Sequence, residues 1–187
     1  QMVGRSVHQI ARSGLARTFQ GTHIFPGMTV IENILIGRHM HMRSSILQAF
    51  VHFHWAQKEE AQHREVVEEI IELLEIESIR HQPVGTLGYG LRKRVDLGRA
   101  LAQEPKILLM DEPMAGMGQE DVRMVADIIR SVAQSRAVLM VEHNLSVVAD
   151  ICHHVTVLQR GEIIAQGDYA TVSQDSRVRT AYMGTED

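Results

Sequence analysis

Cysteine is nearly missing from this chain: Cys152 is the only one in 187 residues, so no disulfide framework can form and a reducing compartment is expected. Lysine is almost as scarce. Lys58, Lys93 and Lys106 are the only three, and they follow Gln57, Arg92 and Pro105, so the Gly-Lys pair of a phosphate-binding P-loop occurs nowhere in the sequence. No apolar run approaches the roughly 18 residues that a membrane-spanning helix needs, and no signal-peptide pattern is present, so any membrane role is expected to come through a partner. Repeats and low-complexity stretches are absent as well. Positive charge is neither in excess nor clustered: the net charge is -4 and the arginines are scattered, which argues against nucleic acid as a main partner. With 44% hydrophobic and 22% charged residues, what remains is the composition of an ordinary globular, cytoplasmic chain.

The most informative stretch that is present is Lys106-Ile107-Leu108-Leu109-Met110-Asp111-Glu112-Pro113. Apolar residues leading into two adjacent carboxylates read as a buried strand at the centre of a parallel sheet, and the crevice beyond the carboxyl ends of such strands is where α/β proteins bind ligands. Asp111 suits Mg²⁺ on a nucleotide, and Glu112, one residue later, suits the orientation or deprotonation of a water. A second strand, Ala137 to Val141, repeats the design and ends in Glu142-His143. A neutral imidazole at that edge offers one N–H to a terminal phosphate.

Between Val84 and Leu101 a glycine-rich turn opens a helix in which Leu91, Val95 and Gly98 to Leu101 recur at helical spacing. Exposed backbone N–H groups and the positive end of a helix dipole make this turn a candidate anion cradle. Elsewhere, Thr29 and Glu32 form a capping-box pair that starts a helix through Ile36. A charged helix is expected over Ala56 to Ile76, with Val67, Ile70, Ile71 and Leu74 as its apolar stripe. Another is expected from Gln119 to Val132, with Val122, Val125, Ile129 and Val132 inward. Arg160-Gly161 between two apolar runs is a hairpin signal. The pairs His39/His41, His52/His54 and His153/His154 lack carboxylate or cysteine partners at ligand spacing, which argues against metal binding by them.

Together these motifs resemble the nucleotide-binding subunit of ABC transporters. Gly85 to Ala102 is similar to that family's signature motif and its helix, Ile107 to Glu112 to the Walker B strand, and Ala115 to Gly118 to the D-loop. His143 resembles the switch histidine, and Ala16-Arg17-Thr18-Phe19-Gln20 the Q-loop. The run Phe25 to Asn33 and the end Ala181-Tyr182-Met183-Gly184 are similar to the ATPases of branched-chain amino-acid importers. The resemblance implies a P-loop NTPase-like (RecA-like) α/β core that is N-terminally incomplete, the simplest account of the missing P-loop being a fragment. It implies one ABC ATPase domain over 1–187, with a helical subdomain over 21–98 inserted between core segments 1–20 and 99–187, the latter including a C-terminal tail.

By the same resemblance the cofactors are ATP and Mg²⁺. Glu112, His143 and Gln20 are the catalytic residues, Asp111 with Gln20 alongside holds the metal, and Leu87, Gly88, Tyr89, Gly90 and Leu91 bind nucleotide. Two such subunits sandwich ATP, and the motion passes near Gln20 to membrane-spanning permease subunits, placing the chain at the cytoplasmic face of the membrane as a peripheral subunit. A solute-binding protein is an indirect partner. The function implied is ATP hydrolysis driving import of branched-chain or related amino acids, with this chain inactive alone. The alternative is a catalytically inactive module that lends its signature face and membrane contacts to a partner ATPase. Leu91 in place of glutamine and Gly118 in place of Asn or Asp are departures that favour it, whereas Gly88 and Tyr89 are milder ones.

Overall fold

The computed structural model describes residues 2–41 and 53–183, with side chains described for 2–41 and 60–182. Gly184 of the C-terminal resemblance, His52 and the side chain of His54 lie outside these residues. The fold is α/β, and the chain divides into two compact units, Gln1–Val141 and Glu142–Asp187.

In the first unit, α1 (Val7–Arg12) leads into β1 (Leu15–Arg17), the first strand of a parallel sheet ordered β1-β2-β3. The central strand is β2 (Ile107–Asp111), and β3 (Ala137–Val141) flanks it, with Ala16 opposite Leu108 and Asp111 opposite Val141. Side chains alternate across a sheet, so the face carrying Ala16, Leu108 and Met110 is the buried one. It packs against α4 (Tyr89–Leu101) and α5 (Gln119–Ala133), and α5 turns Val125, Ala126, Ile128, Ile129 and Val132 inward, with Val122 only half-buried. On the opposite face Leu109 is half-buried, and Ile107 is 41%, Leu139 64% and Val141 60% exposed in these 187 residues.

The elements described between β1 and β2 are all helices or 3₁₀ turns. Thr29 caps α2 (Val30–Ile36), its side chain and that of Glu32 bonding reciprocally to each other's backbone N–H. The helix predicted from Ala56 runs as α3, Phe53–Leu73, and its stripe Val67, Ile70 and Ile71, with Leu74 just beyond, is buried. Three helices meet at Gly98 of α4, where an added Cβ would lie 2.7 Å from Leu74 Cδ1 and 3.0 Å from Ile34 Cδ1. The buried Arg38 ties the 3₁₀ turn Gly37–Met40 to its neighbours, donating to His63 Nδ1 on α3 at 3.2 Å and to Ala102 O after α4 at 3.0 Å.

Two devices position the stretch after Gln20. Asn33, fully buried, accepts from Phe25 N at 2.8 Å and donates to the carbonyls of Phe25, Met28 and Thr29. Backbone bonds from Val30 N to Gln82 O, Val84 N to Met28 O and Gly85 N to Pro26 O then lace this stretch to the residues just before the signature turn. Because buried backbone groups must find partners, this lacing fixes one segment relative to the other.

The second unit holds α6 (Leu145–Ile151), capped by the Asn144 side chain, and the antiparallel pair β4 (Val155–Gln159) and β5 (Glu162–Gly167). Arg160 and Gly161 both have positive φ, 53° and 85°, which is the backbone of a two-residue type I′ hairpin. Val157, Val172 and Val178 form its core with α7 (Tyr169–Gln174) and α8 (Ser176–Met183).

Candidate functional site

The parallel register carries Asp111 to the carboxyl end of β2, and the chain then turns sharply. Glu112 has φ +44°, a left-handed conformation that is costly for a residue with a Cβ and that persists only where its surroundings hold it. Its backbone is held on both sides: Glu112 N donates to Val141 O at 2.9 Å, while Ala115 N donates to Glu112 O at 3.2 Å and Lys93 Nζ reaches the same carbonyl at 3.5 Å. The turn swings the Glu112 carboxylate toward the end of β1, where Gln20 Nε2 donates to Glu112 Oε2 at 2.7 Å. Gln20 is itself anchored, since its carbonyl accepts from Lys93 Nζ at 2.7 Å. Gln20, Asp111 and Glu112 are thus assembled from residues 92 positions apart in the chain.

Asp111 Oδ2 accepts from the Arg17 guanidinium at 3.0 Å, and that guanidinium also lies over the Phe19 ring, 4.8 Å from its centroid. The carboxylate therefore already attracts a cation. Together with the Gln20 side-chain amide it offers the hard oxygen donors that Mg²⁺ prefers, so the residues present fit that metal.

The signature turn sits at the start of α4. Leu87 is buried and Gly88 is the extended N-cap residue, with no side chain to cap the helix, and α4 begins at Tyr89. Arg92 braces the turn by donating to Leu87 O and Gly85 O. Leu91 is half-buried. Tyr89 is 44% exposed, and the backbone of Gly116 in the D-loop segment, at φ +76°, comes so close that an added Cβ would lie 3.3 Å from the ring. Gly90 does not face open space. A Cβ there would lie 2.7 Å from Asp121 Cγ, on α5 of the same chain. Asp121 is held in place by the buried Arg94 at 3.2 Å.

One turn further along α4, Asp96 is buried, and desolvation pushes its carboxyl above the usual carboxylate range against the pull of Arg99, His23 and Lys93. Arg17, Lys93, Asp96 and Asp121 received no role from the sequence. Charged residues at buried helical positions, Lys93 and Asp96 on the inward side of α4 among them, were the one local signal that pointed to them.

His143 belongs to the second unit. It is exposed, its backbone N donates to Glu142 Oε2 at 3.1 Å, and it directly precedes the Asn144 cap of α6.

Comparison with known proteins adds an independent line. Residues 1–115 match the family model described as ABC transporter, and residues 162–187 match that described as branched-chain amino acid ATP-binding cassette transporter. The chain is 28% identical over 186 residues to the high-affinity branched-chain amino acid transport ATP-binding protein BraF of Pseudomonas aeruginosa, covering 98% of this chain and 73% of that protein. It is 35% identical over 182 residues to the probable branched-chain amino acid transport ATP-binding protein LivG of Methanocaldococcus jannaschii, covering 91% of this chain and 68% of that one. A solved structure, the ADP conformation of an ATP-binding cassette of an ABC transporter, superposes with a TM-score of 0.77 at 30% identity, over 97% of this chain and 72% of the other.

Proposed function

The chain belongs to the ABC transporter ATP-binding family, and on that premise we propose that it is the ATP-binding and ATP-hydrolysing subunit of an importer for branched-chain or related amino acids. Its α/β fold is the P-loop NTPase-like fold of the ATP-binding cassettes. The observation that carries the reading is the 2.7 Å hydrogen bond from Gln20 Nε2 to Glu112 Oε2, formed beside Asp111 at the end of the central strand.

In this reading Glu112 accepts the proton of the attacking water, and Gln20 fixes the orientation of the carboxylate as it does so. Asp111, with Gln20 alongside, is the ligand set for Mg²⁺, which when bound neutralises charge on the phosphates. Leu87, Gly88, Tyr89, Gly90 and Leu91 present the amides and the positive helix end of α4 to a nucleotide held by a second ATPase subunit. His143 donates a hydrogen bond to a terminal phosphate. The helical segment 21–98 is the part we assign to the permease subunits, through the groove that Thr22 to Phe25 form with Ile36, Gly37, His39, Met40, Arg99 and Gln103. No helix among the described residues is long and apolar enough to cross a membrane, so the chain reaches the cytoplasmic face through those partners. A solute-binding protein is engaged only through them. With no Gly-Lys pair in these 187 residues, the chain alone lacks the phosphate cradle and is inactive until a P-loop is supplied.

The alternative, a non-hydrolysing module, is favoured by Leu91 and by Gly118, which begins α5 with no side-chain cap. One experiment separates the readings: uptake of labelled leucine, isoleucine or valine by a permease complex containing a P-loop-bearing form of this subunit. Uptake driven by ATP hydrolysis at this subunit is expected. ATP turnover without uptake overturns the solute and direction, and absence of turnover at this subunit favours the module.

A further inference from the structure

Lys93 is a buried ammonium whose hydrogen-bond acceptors are backbone carbonyls. Its residue is 6% exposed, and Nζ donates to Gln20 O at 2.7 Å and Glu112 O at 3.5 Å, the carbonyls of the two residues whose side chains bond each other at 2.7 Å. On the same helix, one turn toward the N-terminus, stands Tyr89 of the signature turn, its ring centroid 5.8 Å from Nζ. Residues four apart on one helix share a face, so a displacement of the turn at Tyr89 is carried rigidly to Lys93.

Burying an ammonium costs several kcal/mol, and a hydrophobic residue of similar length often stabilises a fold as well or better. Stability therefore gives no reason for a charge here. Position does: Glu112 holds a left-handed backbone at φ +44°, and Lys93 is the side chain that reaches its carbonyl, beside the backbone bonds to Val141 and Ala115.

We propose that Lys93 is a positioning residue that couples the signature turn to the Gln20–Glu112 pair of the same chain. In an ATP sandwich the turn faces one nucleotide and Glu112 the other, so the contact links the two sites through α4. When the partner's nucleotide draws the turn in, Lys93 moves with α4 and resets the carbonyls that orient Gln20 and Glu112. The link rests on the reading of Glu112 as the base, but the geometry it predicts can be measured without ATP.

The test is hydrogen exchange of the chain carrying Lys93→Met. The amides of Glu112 and Ala115, bonded to Val141 O and Glu112 O, are expected to exchange about tenfold faster or more, while Leu108 to Met110 on β2 keep their protection. Lys93→Arg, which keeps the donor, should restore protection. Should Lys93→Met fail to fold, Lys93→Gln takes its place. In the transporter, Lys93→Met should lower kcat about tenfold with KM for ATP little changed. Unchanged exchange at Glu112 and Ala115, a uniform rise that includes β2, or no restoration by arginine overturns the coupling. Glu112→Gln in the same ATPase assay tests the base by itself, so a failure there leaves the exchange result free to decide the link.

Discussion

The Arg17 guanidinium stands 3.0 Å from Asp111 Oδ2, so the carboxylate assigned to Mg²⁺ has a competing cation from its own chain. The two side chains are 51% and 37% exposed, and a pair so open to water is worth no more than about 1 kcal/mol. Arg17→Ala should leave the melting temperature nearly unchanged and lower the Mg²⁺ concentration for half-maximal ATP turnover by up to about fivefold. A Mg²⁺ titration checks it; an unchanged or higher requirement would count against Asp111 as the ligand.

Gly90 is closely packed within its own chain. Glycine to alanine in a helix usually gains about 1 kcal/mol, but here the new Cβ would meet the Asp121 carboxyl, pinned by Arg94. We expect Gly90→Ala to cost about 1–3 kcal/mol instead. The cost should shrink by about 1 kcal/mol in an Asp121→Ala background, which a denaturant double-mutant cycle measures.

Gly37 and Gly98 separate a rigid neighbour from a soft one. A Cβ on Gly37 would run into the backbone carbonyl of Arg99 and lie 2.8 Å from Ala102 Cβ, whereas one on Gly98 would meet only the tips of Leu74 and Ile34. Backbone cannot swing aside. Gly37→Ala should therefore cost about 2–3 kcal/mol and Gly98→Ala about 1 kcal/mol, read from urea midpoints of the two variants.

Asp96 gives the pH dependence. Burial raises its carboxyl in the folded chain, so the folded state holds this proton more tightly than the unfolded one. Its contribution is fully favourable below the ordinary aspartate value of about 4 and is lost as pH rises through the raised one. Asp96→Asn should gain stability relative to the parent as pH goes from about 4 to 7, and thermal unfolding across that range would show the opposite slope if the assignment were wrong.

Local chemistry made much of the fold legible in the sequence. The Thr29/Glu32 box, the Arg160-Gly161 turn and the apolar stripe of α3 each encode their structure within a few residues, and each is found. The apolar runs of β2 and β3 described strands that can be covered on both faces, but a run states what a strand tolerates rather than what lies against it, and Leu139 is 64% exposed. The catalytic candidates Gln20, Asp111 and Glu112 could be named from motifs. The residues that grip them could not, because Lys93 reaches Gln20 across 73 positions and Arg17 reaches Asp111 across 94. Asp121 beside Gly90 was hidden for the same reason: packing of α4 against α5 is not written in either helix alone.

The most direct measurement is steady-state ATP turnover and ATP binding by Glu112→Gln in a P-loop-bearing form of the subunit assembled with its partner. The substitution keeps the shape of the side chain and an acceptor for Gln20 Nε2, while removing the carboxylate proposed to take the proton. The account predicts ATP affinity within about threefold of the parent and turnover lower by roughly 10² to 10⁴. Turnover equal to the parent would contradict it and remove Glu112 from the chemistry.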